Sequence, residues 1–302
     1  MTLTGLWTVL KRALGGWWND NVPHLGAALS YYTLFSLAPI LIVAMAIAGF
    51  VFGAEAVRGE IVGQIDGLVG RDGARAVQAM LEGASKPSSS IAATIIGVIT
   101  FFLGATGAFL ELQTALNAIW RVKPKTSTSF VRALIIDRVI SFGLVVGVGF
   151  LMLTSLLVSA GLAALHTYMG QTFPGAVALW EALNVIVSLA VITVLFAMIY
   201  KLLPDMELAW SDVWVGGLVT AGLFTIGKLL IGLYLGTSAL ASSYGAAGSV
   251  VVLLVWVYYS AQIVLLGAEF TREYVKEFGR RRPPPSEFAT KDPSPPLGGG
   301  KK

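Results

Sequence analysis

The chain contains no cysteine and only two histidines, His24 and His166, in 302 residues. Without thiols there is no disulfide framework, no thiolate nucleophile and no cysteine metal site. Charge is scarce too: Asp, Glu, Lys and Arg make up 13% of the chain, about half the share usual in soluble domains. What fills the gap is apolar, at 56%. A bilayer span needs about 20 mostly apolar residues, and six runs qualify. They extend approximately from Leu25 to Phe52, Ser90 to Trp120, Val139 to Leu165, Trp180 to Leu202, Val213 to Leu235 and Gly248 to Glu269. The predicted fold class is all-α: a polytopic membrane bundle of six transmembrane helices with interfacial amphipathic helices.

The formal charge of +4 does not point to nucleic acid, because of where the charges lie. The segment 54–86 mixes signs, and the connections around His166 and Tyr244 hold no Lys or Arg. Arg121, Lys123, Lys125, Arg132 and Arg138 follow the second run. Arg272, Lys276, Arg280, Arg281 and Arg282 follow or close the last. Positive residues stay on the cytoplasmic side, so both termini and the second loop are expected there. Lys11, Arg12 and Asp20 interrupt the N-terminus before any signal-peptide core of the usual length.

Three regions follow. Residues 1–22 carry Leu3, Leu6, Trp7, Leu10, Leu14, Trp17 and Trp18 at helical spacing, which predicts an amphipathic helix in the interface or packed on the bundle. Residues 23–278 form the membrane domain. Its segment 54–86 is too polar to cross and reads as two short amphipathic helices split near Gly70 to Gly73, on the external side. Residues 279–302, rich in Pro, Gly and charge, cannot bury a core and are expected to be disordered. Gly26 with Ser30, Gly104 with Ala108, Gly143 with Gly147 and Gly232 with Gly236 are spaced for close helix packing. Such pairs would also suit a homo-oligomer. Six spans with both ends inside divide as three plus three, the arrangement of inverted repeats.

Candidate chemistry lies in the intramembrane polar set: Lys228, Glu111, Gln113, Asn117, Asn184, Gln262 and Glu269. A charge at mid-membrane costs about 2.5–3.5 kcal/mol on insertion scales, so it usually faces a partner or a wet cavity. At about 1.5 Å per residue, Glu111 sits roughly 15 Å before Arg121 and Lys228 roughly 24 Å beyond Asp212. Lys228 either meets Glu111 across a polar cavity or snorkels to the nearer interface. Glu269, near the inner edge, reads as a solvated helix-end carboxylate. The run Arg280 to Arg282 could contact anionic lipid headgroups. Pro39 should bend the first span.

An enzyme must show its catalytic groups, and none are evident. The topology puts His24 and His166 on opposite faces, so they cannot share a metal ion. There is no HExxH and no Gly-x-Ser-x-Gly elbow. No enzymatic activity, metal or cofactor is expected, and no nucleic-acid partner.

The segments HLGAALSYYTLFSLAPILIV, ELQTALNAIWRV, YKLLPDMELAWSDVWVGGLVTAGLFTIGKLLIGLYL and SSYGAAGSVVVLLVWVYYSAQIVLLGAEF resemble the YihY/BrkB family of bacterial inner-membrane proteins. The likeness runs to about Phe278. Its matching positions are Tyr31, Pro39, Gln113, Asn117, Pro204, Lys228, Tyr244, Gly245, Gly248 and Glu269. The resemblance implies an inner-membrane protein of a family once labelled ribonuclease BN and linked to virulence, serum resistance and lipid or lipopolysaccharide export. The residues give a nuclease nothing to work with. The expected function is a transporter or flippase of an anionic amphiphile with membrane lipids as partners, the alternative being a non-transporting scaffold in envelope assembly.

Overall fold

The computed structural model describes residues 3–52, 54–84, 107–122, 177–206, 208–237 and 243–279. Among these residues every regular element is helical. In chain order they are α1 (Leu3–Asn19), α2 (Val22–Phe52), α3 (Ala54–Ala84), α4 (107–120), α5 (Val177–Leu202), α6 (Trp210–Thr237) and α7 (Gly248–Phe278), with a 3₁₀ turn at Gly245–Ala247 before α7. Four stretches are long and apolar enough to cross a membrane: Val22–Ile42, Val185–Leu202, Trp210–Leu235 and Gly248–Phe278. They match the first, fourth, fifth and sixth runs of the sequence. The second run reaches the described residues only in α4, and the third lies outside them, as does the tail with Arg280, Arg281 and Arg282.

α7 is the hub, with α1, α2, α3 and α6 all packed against it. Its length explains this role. The sequence ended the last span at Glu269, yet the helix runs nine residues further to Phe278, roughly 14 Å. The added turns give α1 a surface to dock on, through Val9 and Ala13 against Phe270 and Tyr274. At the opposite end, Val69, Ala76, Val77 and Leu81 of α3 cover Val252, Leu253 and Val257. The predicted split of the 54–86 segment is present at Gly70, with φ 80° and ψ 173°. That backbone is open to glycine and strained for other residues.

The face of α1 that packs takes only Leu6 and Trp17 from the predicted stripe. Val9, Ala13 and Gly16 are buried, whereas Trp7, Leu10, Leu14 and Trp18 are exposed. Small residues let α1 approach α7 closely, Leu6 and Trp17 pack beside them, and Trp7, Leu10, Leu14 and Trp18 face outward. Packing on the bundle, the second of the two alternatives, is therefore present on one face of the helix. α2 continues as helix through Pro39.

The largest core joins Leu116, Ile119 and Trp120 of α4, Phe196 and Tyr200 of α5, Val213 and Ala221 of α6, and Leu265 and Ala268 of α7. Tyr200 ties three helices: its hydroxyl donates to the Val264 carbonyl at 2.7 Å and lies 2.9 Å from Thr220 Oγ1. Gly216 and Gly217 bring α6 against α7 and α5, where an added Cβ would meet Thr271 and the Thr193 carbonyl. Gly26 does the same for α2 against Gln262. Among the described residues nothing lies within 4 Å of a Cβ placed at Gly232, so the predicted Gly232–Gly236 pair packs against none of them at Gly232.

Candidate functional site: a buried ionic junction

α4 ends on Arg121 in a left-handed conformation, φ 54°. The Arg121 amide bonds the Ala118 carbonyl, and the Val122 amide bonds that of Asn117. This double closure is a Schellman-type helix end, which leaves neighbouring carbonyls of the last turn to find partners elsewhere. Arg272 of α7 supplies one. Its Nη1 donates to the Ile119 carbonyl at 2.6 Å.

The same guanidinium gathers three carboxyl groups. Nη1 also donates to Asp20 Oδ2 at 2.6 Å, and Nε to Glu273 Oε1 at 3.1 Å. Nη2 lies 2.6 Å from Glu269 Oε2. Only arginine has enough donors, fanned in one plane, to bond three acceptors while setting a further nitrogen against a fourth oxygen. Arg121 adds a second cation to Asp20 at 3.3 Å, and Lys276 one to Glu273 at 2.6 Å. Further out, Arg12 pairs with Glu277 at 3.0 Å. The junction thus clamps the α1–α2 turn and the end of α4 onto α7. Gly16 makes room for it, since a Cβ there would press on Glu269 Oε2 and approach Arg272 Nη2 to 2.7 Å.

Glu269 corrects the expectation of a solvated helix-end carboxylate: it is 0% exposed, and Arg272 only 3%. Burial follows from the continuation of α7, which covers this depth with α1. Sequence reasoning missed Asp20 and used Arg272 only for topology. The available signal was the spacing of Glu269 and Arg272, three apart on one helix and so on one face.

Burial alone would raise the Asp20 carboxyl. The hydrogen bond and charge of Arg272, helped by the adjacent Glu269 carboxyl and by Arg121, outweigh it and hold Asp20 below the ordinary aspartate range. A depressed folded value means stabilisation that is present above the unfolded value, near 3.9, and lost as pH falls through the folded one. Thermal melts in detergent should accordingly lose stability below about pH 4, a loss that Asp20→Asn should diminish.

The other predicted residues fall into separate settings. Asn117 meets the residue that follows Pro204: Asn117 Nδ2 donates to Asp205 Oδ2 at 2.8 Å, and the Asp205 amide donates to Asn117 Oδ1 at 2.9 Å. This reciprocal pair pins α4 to the α5–α6 connection. Asn117→Ala should cost about 1–3 kcal/mol, readable in a denaturation midpoint, with Asn117→Asp recovering little because it loses the donor. Tyr244, Gly245 and Gly248 form the turn into α7, and Gly245 sits at φ 51°. Tyr31 is exposed and packs on Phe35, ring centroids 4.9 Å apart. Gln113 is half-buried, and both polar atoms of the Gln262 amide are buried without a hydrogen bond.

Lys228 and Glu111 are both half-buried, and the structure does not join them by an ion pair. Lys228 makes no hydrogen bond or ion pair with any described residue, while Ile226, Leu229, Leu230 and Leu233 beside it are exposed. The side chain of Asn184 lies outside the described residues. Among the described residues no group of three or more His, Asp or Glu could hold a metal ion. At the junction, the guanidinium occupies the centre a cation would take.

A family model described as Virulence factor BrkB matches residues 13–292. A UPF0761 membrane protein of Ralstonia nicotianae is 30% identical over 279 residues, covering 89% of this chain and 60% of the relative. Another, from Pseudomonas paraeruginosa, is 29% identical over 252 residues, covering 82% and 58%. A third, from Rhodospirillum centenum, is 31% identical over 267 residues, covering 87% and 56%. The chain thus spans about 60% of the length of these curated relatives. No solved structure matches.

Proposed function

The chain belongs to the Virulence factor BrkB family of membrane proteins, and from that premise we propose that it is a transporter or flippase for an anionic, lipid-like amphiphile. The observation that carries this reading is Lys228, a half-buried cation in a 28-residue apolar helix with no partner among the described residues. A lysine that only closed an internal ion pair would not be available to a ligand. One without a partner, beside exposed apolar side chains, offers a headgroup its charge and an acyl chain its surface. Glu111 lies at another depth and assists release without pairing directly. The protein needs no catalytic residue or cofactor for this role. It sits in the bacterial inner membrane with six spans and both termini cytoplasmic, and Arg280, Arg281 and Arg282 rest on the anionic leaflet.

In vesicles containing labelled phosphatidylglycerol, the reconstituted protein should speed translocation. Lys228→Met should reduce the rate at least tenfold, and Lys228→Arg should retain most of it. Equal rates in vesicles with and without protein would sink the transporter reading and favour a scaffold. Because Lys228 and Glu111 are not paired, the stability effects of Lys228→Met and Glu111→Gln should add.

Topology has its own check in this cysteine-free chain. Cysteines introduced at Ser88 and Thr126 should label from opposite sides of the membrane with an impermeant reagent. Labelling from one side would remove the six-span arrangement.

A further inference from the structure

A buried carboxylate normally collects two or three donors. Glu269 is 0% exposed, and neither of its oxygens accepts a hydrogen bond. Its one ionic contact is the 2.6 Å approach of Arg272 Nη2. The other donors of that guanidinium are committed to Asp20, Glu273 and the Ile119 carbonyl. The remaining cations serve other carboxyls: Arg121 from the end of α4 reaches Asp20, and Lys276 on α7 reaches Glu273. From α1, Arg12 is held by Glu277 further along α7. From α6, the charged group in this region is Asp212, which acts on Tyr274 and brings no positive charge. The carboxyl that shares the Arg272 guanidinium edge with Glu269 is Asp20, 2.6 Å from Nη1 while Glu269 Oε2 is 2.6 Å from Nη2, and as an ion it can only accept.

Two carboxyls side by side in a buried site cannot both ionise cheaply, and a shared proton resolves the conflict. We infer that Glu269 is a proton-binding site, holding a proton that it donates to Asp20, and that this proton keeps the α1–α2 turn latched onto α7. Proton loss leaves two neighbouring carboxylates on one guanidinium, and the turn is pushed from α7. Coupling of this step to substrate movement rests on the transporter reading; the proton site itself does not.

The test is infrared spectroscopy of the purified protein in lipid at neutral pH. A carbonyl band of a protonated carboxylic acid should be present, shift in deuterium oxide, and vanish in Glu269→Gln, which preserves shape. Asp20→Asn should shift the same band, because it changes the acceptor. The band should fade as pH is raised. In parallel, a cysteine in place of buried Val22 should become more reactive with rising pH than the same cysteine in the Glu269→Gln background. A spectrum unchanged by Glu269→Gln, or Val22→Cys reactivity identical in both backgrounds, would overturn the inference. These readouts contain no transport step, so a failed translocation assay leaves them intact. A band that behaves as described, with a translocation rate whose pH dependence Glu269→Gln does not alter, would reject only the coupling.

Discussion

Arg272→Met is expected to destabilise the protein by about 3–5 kcal/mol, the range for breaking a buried pair by removing one partner. The substitution keeps the apolar stem but withdraws the charge from Asp20, Glu269 and Glu273 together, and leaves the Ile119 carbonyl without its donor. Arg272→Lys should recover little, because one ammonium cannot reach four acceptors spread around a planar fork. The informative comparison is a combined variant in which Asp20→Asn, Glu269→Gln and Glu273→Gln accompany Arg272→Met. Removing Arg272 and its three carboxyl partners together spares the desolvation that a lone buried charge suffers, so the combination should melt closer to the native protein than Arg272→Met alone. Thermal unfolding in one detergent, followed by intrinsic tryptophan fluorescence, measures both. If the single and combined variants melt alike, the junction contributes little to stability.

The second large effect is expected at Gly267. A Cβ there would meet Thr220 Oγ1 and come within 2.5 Å of the Tyr200 hydroxyl. Gly267→Val would therefore separate α6 from α7 and break the contact of Tyr200 with Thr220 and with the Val264 carbonyl. Overpacking costs about 1–3 kcal/mol, and an unsatisfied buried hydroxyl about as much again. A loss of about 3 kcal/mol or more is expected. Gly232→Val on the same α6, where no described residue lies within 4 Å of the added Cβ, should change stability by less than about 1 kcal/mol. Equal losses at both positions would mean that helix propensity, and not the close approach, governs α6.

Much of the architecture was legible because a bilayer demands it. Runs of apolar residues of spanning length have few alternatives, and the spans through α2, α5, α6 and α7 appeared where the composition placed them. The break at Gly70 was legible for a similar reason, since two apolar stripes met at a glycine pair. The face on which α1 packs was legible only at Leu6 and Trp17. Its bulky stripe is the stronger periodic signal, but docking against another helix favours small residues, which carry little hydrophobic signal. The end of α7 was also misread, because Glu269 and Arg272 look like an interface when their partners are unknown.

By itself, the sequence determined that this is a helical membrane protein, which described segments are long and apolar enough to span, and which polar residues have to be explained. Its covalent pattern of apolar length and charge suffices for that, since each span is judged against lipid and water one at a time. Only the tertiary structure decided what those residues meet. Asp20 and Arg272 are 252 positions apart and yet 2.6 Å from each other, whereas Lys228 and Glu111, which depth alone could not separate, are not joined by an ion pair. Whether a buried charge is neutralised by a neighbour, by a proton or by a ligand depends on packing between distant helices, and no local pattern in the chain encodes it.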